Sequence, residues 1–92
     1  KMIDVKETAA EGLVLIKPRV FTDSRGYFVE TFNARALEAQ GLPSKFVQDN
    51  QSFSKRGVLR GLHFQRAPYA QTKLVRAIQG RILDVVVDLR PD

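Results

Sequence analysis

The chain has no cysteine, no tryptophan, one methionine and one histidine. The lack of cysteine excludes disulfides and thiolate metal sites. The single histidine excludes a His-cluster metal centre. No apolar run is long enough to span a bilayer, and Lys-Met-Ile-Asp-Val-Lys at the start contains no signal-peptide apolar stretch. The cytoplasm is therefore the expected location, with no membrane partner. Basic residues outnumber acidic ones by 15 to 10, for a net charge of +5, yet no basic run exceeds two residues, as in Lys55-Arg56. That balance favours an anionic small molecule or acidic partner over a nucleic-acid backbone. There is no Gly-rich phosphate loop, no strand–helix alternation and no internal repeat.

Ninety-two residues, 43% hydrophobic and 27% charged, suit one small soluble domain or part of a larger one. Leu13–Ile16 reads as a strand closed by Lys17-Pro18. Thr22–Gly26 reads as a turn, because Asp, Ser and Gly each favour turn geometry. Tyr27–Phe32 alternates, with Phe28, Glu30 and Phe32 on one face. A carboxylate between two phenyl rings has two readings: a binding group, or an edge residue reaching water. Asn33–Gly41 is the one predicted helix, with Asn33 as N-cap, Gly41 at the C′ position and Pro43 beyond it.

The rest of the chain reads as strands at Lys45–Phe53, Val58–Gln65, Thr72–Gln79 and Ile82–Leu89. Turns at Ser54–Gly57 and Gly80-Arg81 and a loop at Ala67–Gln71 separate them. Short strands with a turn about every ten residues predict an all-β fold, an antiparallel β-sandwich or barrel with one short helix. The apolar face of Leu83, Val85, Val87 and Leu89 calls for a partner surface. The amides of Gln48, Asn50 and Gln51 are poor strand formers, and read either as ligands for something or as a solvated edge.

Gly57–Gln65 contains Arg60 and His63, and Lys73 follows ten residues after the histidine. His63 is open to three readings: a structural histidine, a metal ligand or a general base. The second lacks partners, since Gln65 stands where another ligand would be wanted. The third fits Arg60 and Lys73, because removing a proton beside a carbonyl needs a base and a cation for the enolate.

Six motifs, in order, carry a resemblance that the spacing alone does not. They are Lys17–Phe21, Asp23–Glu30, Phe46–Asn50, Gly57–Gln65, Lys73–Arg76 and Asp84–Arg90. On them the chain resembles the N-terminal half of the dTDP-4-dehydrorhamnose 3,5-epimerases, cupin-fold enzymes with a jelly-roll sandwich. The resemblance implies a metal-free, cofactor-free homodimer acting on a dTDP-sugar. It implies His63 as the base at C3 and C5 of a 4-keto sugar, Lys73 at the enolate oxygen and Arg60 in contact with substrate. Arg25 would bind the phosphates, Glu30 the thymidine end and Phe28 the base, with Gln48, Asp49 and Asn50 on a further binding strand. The family's second half supplies a carboxylate that orients the base and a tyrosine proton donor. This chain departs from the family pattern at Gln51, where histidine is frequent, and at Thr72, where glycine is usual. Arg60 and His63 lie an odd number of residues apart, so bringing both to one substrate calls for a β-bulge at Gly61-Leu62 or an arginine at the strand rim.

Overall fold

The computed structural model describes residues 2–91; Lys1 and Asp92 lie outside the described residues. The chain divides into two compact units, Lys1–Lys45 with Val86–Asp92, and Phe46–Val85. Its regular structure is antiparallel β-sheet with one short helix, the all-β class expected from the sequence.

In the first unit, β1 (Ile3–Glu7) pairs antiparallel with β2 (Val14–Pro18). The register sets Val5 opposite Ile16 and Ile3 opposite Pro18, so one face of this hairpin is apolar. Asp4 faces Lys17 across the ladder on the other side, a favourable pairing of opposite charges. Pro18 ends β2, as its missing N–H requires. Residues 8–13 join the two strands. The Thr8 hydroxyl donates to the Leu13 carbonyl at 2.8 Å and accepts from the Ala10 N–H at 3.2 Å. Arg90 reaches the same loop and donates from Nη2 to the Glu11 carbonyl. The Asp88 carboxylate holds that guanidinium in place, accepting from both Nε and Nη2.

β3 (Val20–Asp23) and β4 (Gly26–Val29) form a second hairpin closed by Ser24-Arg25. Neither turn residue has a positive φ, whereas Gly26 sits at φ +135°. The turn is fixed from the side by Asp23, whose Oδ1 accepts the Arg25 N–H at 2.9 Å, the Asx arrangement that makes Asp a turn former.

The helix α1 (Ala34–Ala39) follows. The Asn33 side chain accepts the Ala36 N–H at 3.0 Å, an N-cap contact. At the other end the Leu42 N–H donates to Leu37 O at 3.0 Å and the Gly41 N–H to Glu38 O at 2.9 Å. These two bonds form a Schellman motif, with Gly41 at φ +72° in the left-handed position. Leu37 is the buried side chain of the helix and Ile3 that of the first hairpin.

Four predicted strands, Lys45–Phe53, Val58–Gln65, Thr72–Gln79 and Ile82–Leu89, are not strands among the described residues. A strand exists only when a neighbour takes up its N–H and C=O groups, and β-propensity acts through packing on that neighbour. The side chains that would make such packing are exposed, Leu83 at 91% and Leu59 at 93%. The expected Gly80-Arg81 hairpin turn is accordingly replaced by a bend over residues 78–80, though Gly80 has the positive φ of +83°. The turn before Val58 is formed: the Val58 N–H donates to Lys55 O at 3.2 Å and Gly57 takes φ +86°, the position where a type II turn needs glycine. Gly61 also has a positive φ, +110°, but no ladder surrounds it, so the expected bulge has no strand to interrupt.

Replacing Gly41 with alanine should destabilise the helix end by about 1 kcal/mol, since a Cβ is unfavourable in the left-handed region. Gly41→Asn should cost less, because asparagine tolerates that region. Denaturant melts followed by far-UV circular dichroism will rank the three proteins.

Candidate functional site

The predicted nucleotide-binding residues of the first unit are gathered by the β3–β4 hairpin. Phe21 and Phe28 are direct cross-strand partners, so their rings share one face of the sheet. Both are substantially exposed. Arg19, two residues before Phe21, lies with its guanidinium carbon 4.9 Å from that ring's centroid, within cation–π range. Residues 21–23 and 25–28 line an open cleft of about 380 Å³. An exposed aromatic pair with a guanidinium at its rim can stack a flat base and receive an anion.

Arg25 sits at the tip of this hairpin. Its Nη2 donates to Asp23 Oδ2 at 2.6 Å and its Nε to the same oxygen at 3.2 Å. This side-chain hydrogen bond, with the Arg25 backbone N–H and Gly26 behind it, lowers the Asp23 pKa below the ordinary carboxylate value. The guanidinium is raised in turn by Asp23. The side chain of Arg25 remains 89% exposed, so the contact orients the guanidinium without hiding it from a ligand.

Glu30 follows directly on β4, two residues after Phe28. Its Oε1 accepts from Asn33 Nδ2 at 2.6 Å. Among the described residues, this is the contact that fixes the carboxylate.

The second unit carries the remaining predicted residues. Gln48 Nε2 donates to Asn50 Oδ1 at 3.3 Å, and Asp49 between them is exposed. Two side chains two residues apart meet in this way when the backbone is extended. Arg60 folds back on the preceding turn, donating from Nε to Ser54 Oγ at 2.8 Å and from Nη2 to Phe53 O at 3.2 Å. His63 is exposed, and its ring lies close to Gly61, where an added Cβ would stand 3.6 Å from Nδ1. Lys73 is exposed as well. No hydrogen bond or ion pair joins His63 to Lys73 among the described residues. Among those residues there is also no group of three or more His, Cys, Asp or Glu side chains arranged to hold a metal, and no helix is long and apolar enough to cross a membrane.

Sequence reasoning missed the partners of these groups. Asp23 and Ser54 read only as turn residues and Asn33 only as a cap, yet they hold Arg25, Arg60 and Glu30 respectively. Short spacing was the available signal: a carboxylate two residues before an arginine, and an amide three residues after a glutamate.

A family model described as dTDP-4-dehydrorhamnose 3,5-epimerase matches residues 7–92. The chain belongs to the dTDP-4-dehydrorhamnose 3,5-epimerase family. It is 58% identical over 84 residues to the Methanothermobacter thermautotrophicus protein of that name, an alignment covering 91% of this chain and 45% of the relative. Against the Escherichia coli epimerase it is 53% identical over 91 residues, covering 98% of this chain and 49% of the relative. The Salmonella typhimurium epimerase is 48% identical over 92 residues, at 99% and 50% coverage. The chain thus spans about half the length of these epimerases. No solved structure matches it significantly.

The Asp23–Arg25 contact has a pH signature. A carboxyl whose folded pKa is depressed contributes stability above its unfolded value, and loses it as pH falls through the folded value. Asp88 behaves likewise: the side-chain and backbone hydrogen bonds of Arg90 hold it at about 2. Both ties should be intact above about pH 4, where even unfolded carboxyls are ionised, and should loosen as the pH is lowered towards 2. Carboxyl NMR titration should show Asp23 and Asp88 ionising below the ordinary carboxylate range, and Arg25→Ala should move Asp23 upward, leaving the part of the lowering that comes from the backbone N–H groups of residues 25 and 26.

Proposed function

We propose that this chain is the base-bearing half of an epimerase that inverts C3 and C5 of dTDP-4-keto-6-deoxyglucose, in the route to dTDP-L-rhamnose. The observation that carries the proposal is the family match across residues 7–92, a stretch that includes Arg60, His63 and Lys73. The neutral imidazole of His63 takes the proton from the carbon beside the C4 carbonyl. The C–H electron pair becomes the C=C bond of an enolate, and the negative charge on O4 is met by the Lys73 ammonium. A second acid on the opposite face, the role the resemblance gives to a tyrosine of the family's second half, returns a proton to that carbon and inverts it. His63 passes its proton to solvent, the acid regains one from solvent, and the same sequence at the second carbon completes the reaction. No redox step and no metal is required.

Substrate recognition is divided in the same proposal. Arg25 binds the diphosphate, Phe28 stacks on the thymine, and Glu30 accepts a donor from the nucleoside. Gln48, Asp49 and Asn50 supply a polar edge, and Arg60 contacts the sugar or its phosphate. The exposed Phe28 ring and the outward guanidinium of Arg25 support this reading. The fold is proposed to be part of a cupin-like jelly roll, the molecule a cytoplasmic homodimer without nucleic-acid or membrane partners. Free strand edges and exposed apolar side chains support association.

A second reading is a nucleotide-sugar-binding module without chemistry, favoured by the exposure of His63, which has no hydrogen bond or ion pair to Lys73 among the described residues. Proton exchange separates the two. In D2O the 4-keto sugar nucleotide should take up deuterium at C3 and C5, and His63→Gln should slow this by at least ~100-fold, the scale of a lost general base, while dTDP still binds. Binding without exchange would establish the module instead. Calorimetry should show dTDP binding unaffected by chelator and weakened ~10-fold or more by Arg25→Ala with Arg60→Ala, as befits two charge-assisted contacts. Sedimentation at micromolar concentration should give a dimer; a well-folded monomer would refute that part.

A further inference from the structure

We propose that Asn33 is a positioning residue for the nucleoside end of the ligand, acting through Glu30. The assignment rests on the nucleotide-binding reading of Glu30 given above.

Glu30 lies one residue beyond β4, where ladder hydrogen bonds have ended and α1 has not begun. A glutamate there would sample many rotamers, an entropy that a ligand would have to remove on binding. Asn33 removes it beforehand. Its Nδ2 donates to Glu30 Oε1 at 2.6 Å while its Oδ1 accepts the Ala36 N–H at 3.0 Å. The two contacts use opposite ends of one planar amide. Because the helix start requires an acceptor, the oxygen end is committed to Ala36 and the amine end can only face Glu30. Helix formation therefore sets where the carboxylate stands. Glu30 Oε2 makes no hydrogen bond among the described residues, which leaves it as the acceptor for an N–H or hydroxyl on a nucleoside lying over Phe28.

Asparagine is the side chain that does both. Aspartate caps a helix as well, but it has no donor and would set a second negative charge against Glu30. Serine also caps, but its side chain is shorter and carries donor and acceptor on one rotating hydroxyl, so it does not hold a donor at the place where Nδ2 meets Glu30.

The experiment compares dTDP with inorganic pyrophosphate as ligands, by calorimetry, on the wild-type chain, Asn33→Asp and Asn33→Ser. Asn33→Asp should keep the helix signal and the melting temperature, weaken dTDP roughly tenfold, the scale of a hydrogen bond to a charged group, and leave pyrophosphate within about twofold. Asn33→Ser should show the same pattern in smaller degree, and it carries the test if the aspartate variant misfolds. In a Glu30→Gln background the effect of Asn33→Asp should largely vanish, because the two residues act as one unit. Unchanged dTDP affinity in Asn33→Asp, or equal losses for dTDP and pyrophosphate, would overturn the role of Asn33. If Glu30→Gln by itself leaves dTDP affinity unchanged, the nucleoside role of Glu30 fails and this inference fails with it; if the wild-type chain binds no dTDP, the nucleotide-binding reading falls as a whole.

Discussion

Backbone pairing between segments close in sequence governs what is ordered in this protein. β1 meets β2 across residues 8–13, β3 meets β4 across Ser24-Arg25, and α1 is closed by its own cap and Schellman bonds. Each needs little loop-closure entropy, because its ends are neighbours along the chain. Across a long stretch of sequence in the first unit, Arg90 reaches the Glu11 carbonyl. In the second unit the ordered features are likewise local, the turn before Val58 and the turn at Arg66–Tyr69.

The candidate site follows the same logic. Four of the predicted ligand-binding groups are each steadied by a residue a few positions away: Arg25 by Asp23, Glu30 by Asn33, Arg60 by Ser54, Gln48 by Asn50. A short hairpin or cap can thus preset a guanidinium or carboxylate without a large core beneath it. Preset groups lose less freedom when a ligand arrives, which is where such local ties contribute to affinity.

What could be read from the sequence divides along the same line. The helix was legible because Asn33, Gly41 and Pro43 act within one turn of it. The strand at Leu13–Ile16 and the turn at Thr22–Gly26 were legible for the same reason. β1 was not anticipated, since the alternation of Ile3 and Val5 with Asp4 and Lys6 spans only four residues, the shortest pattern that signals a strand. β3 was hidden by the turn signal at Asp23, which belongs to the last residue of that strand. From Lys45 onward, apolar alternation announced strands that lack a ladder here, since Leu83, Val85 and Val87 carry propensity but not a partner. The ligand-binding residues were legible as motifs, and their supporting partners were not, because a hydrogen bond between side chains leaves only a spacing behind.

The exposed apolar side chains have a consequence for how the molecule behaves in solution. Leu59, Leu83 and Leu89 present apolar surface open to contact, and each two-stranded sheet offers open edges. Opposing this is the net charge of +5, which makes like molecules repel. The two forces respond differently to ionic strength. Repulsion acts over a screening length of about 10 Å at 0.1 M salt and about 3 Å at 1 M, while contact between apolar surfaces is not screened and is strengthened by sulfate. Colloidal stability is therefore set by the buffer: dilute salt keeps the molecules apart, and concentrated salt leaves the apolar attraction unopposed.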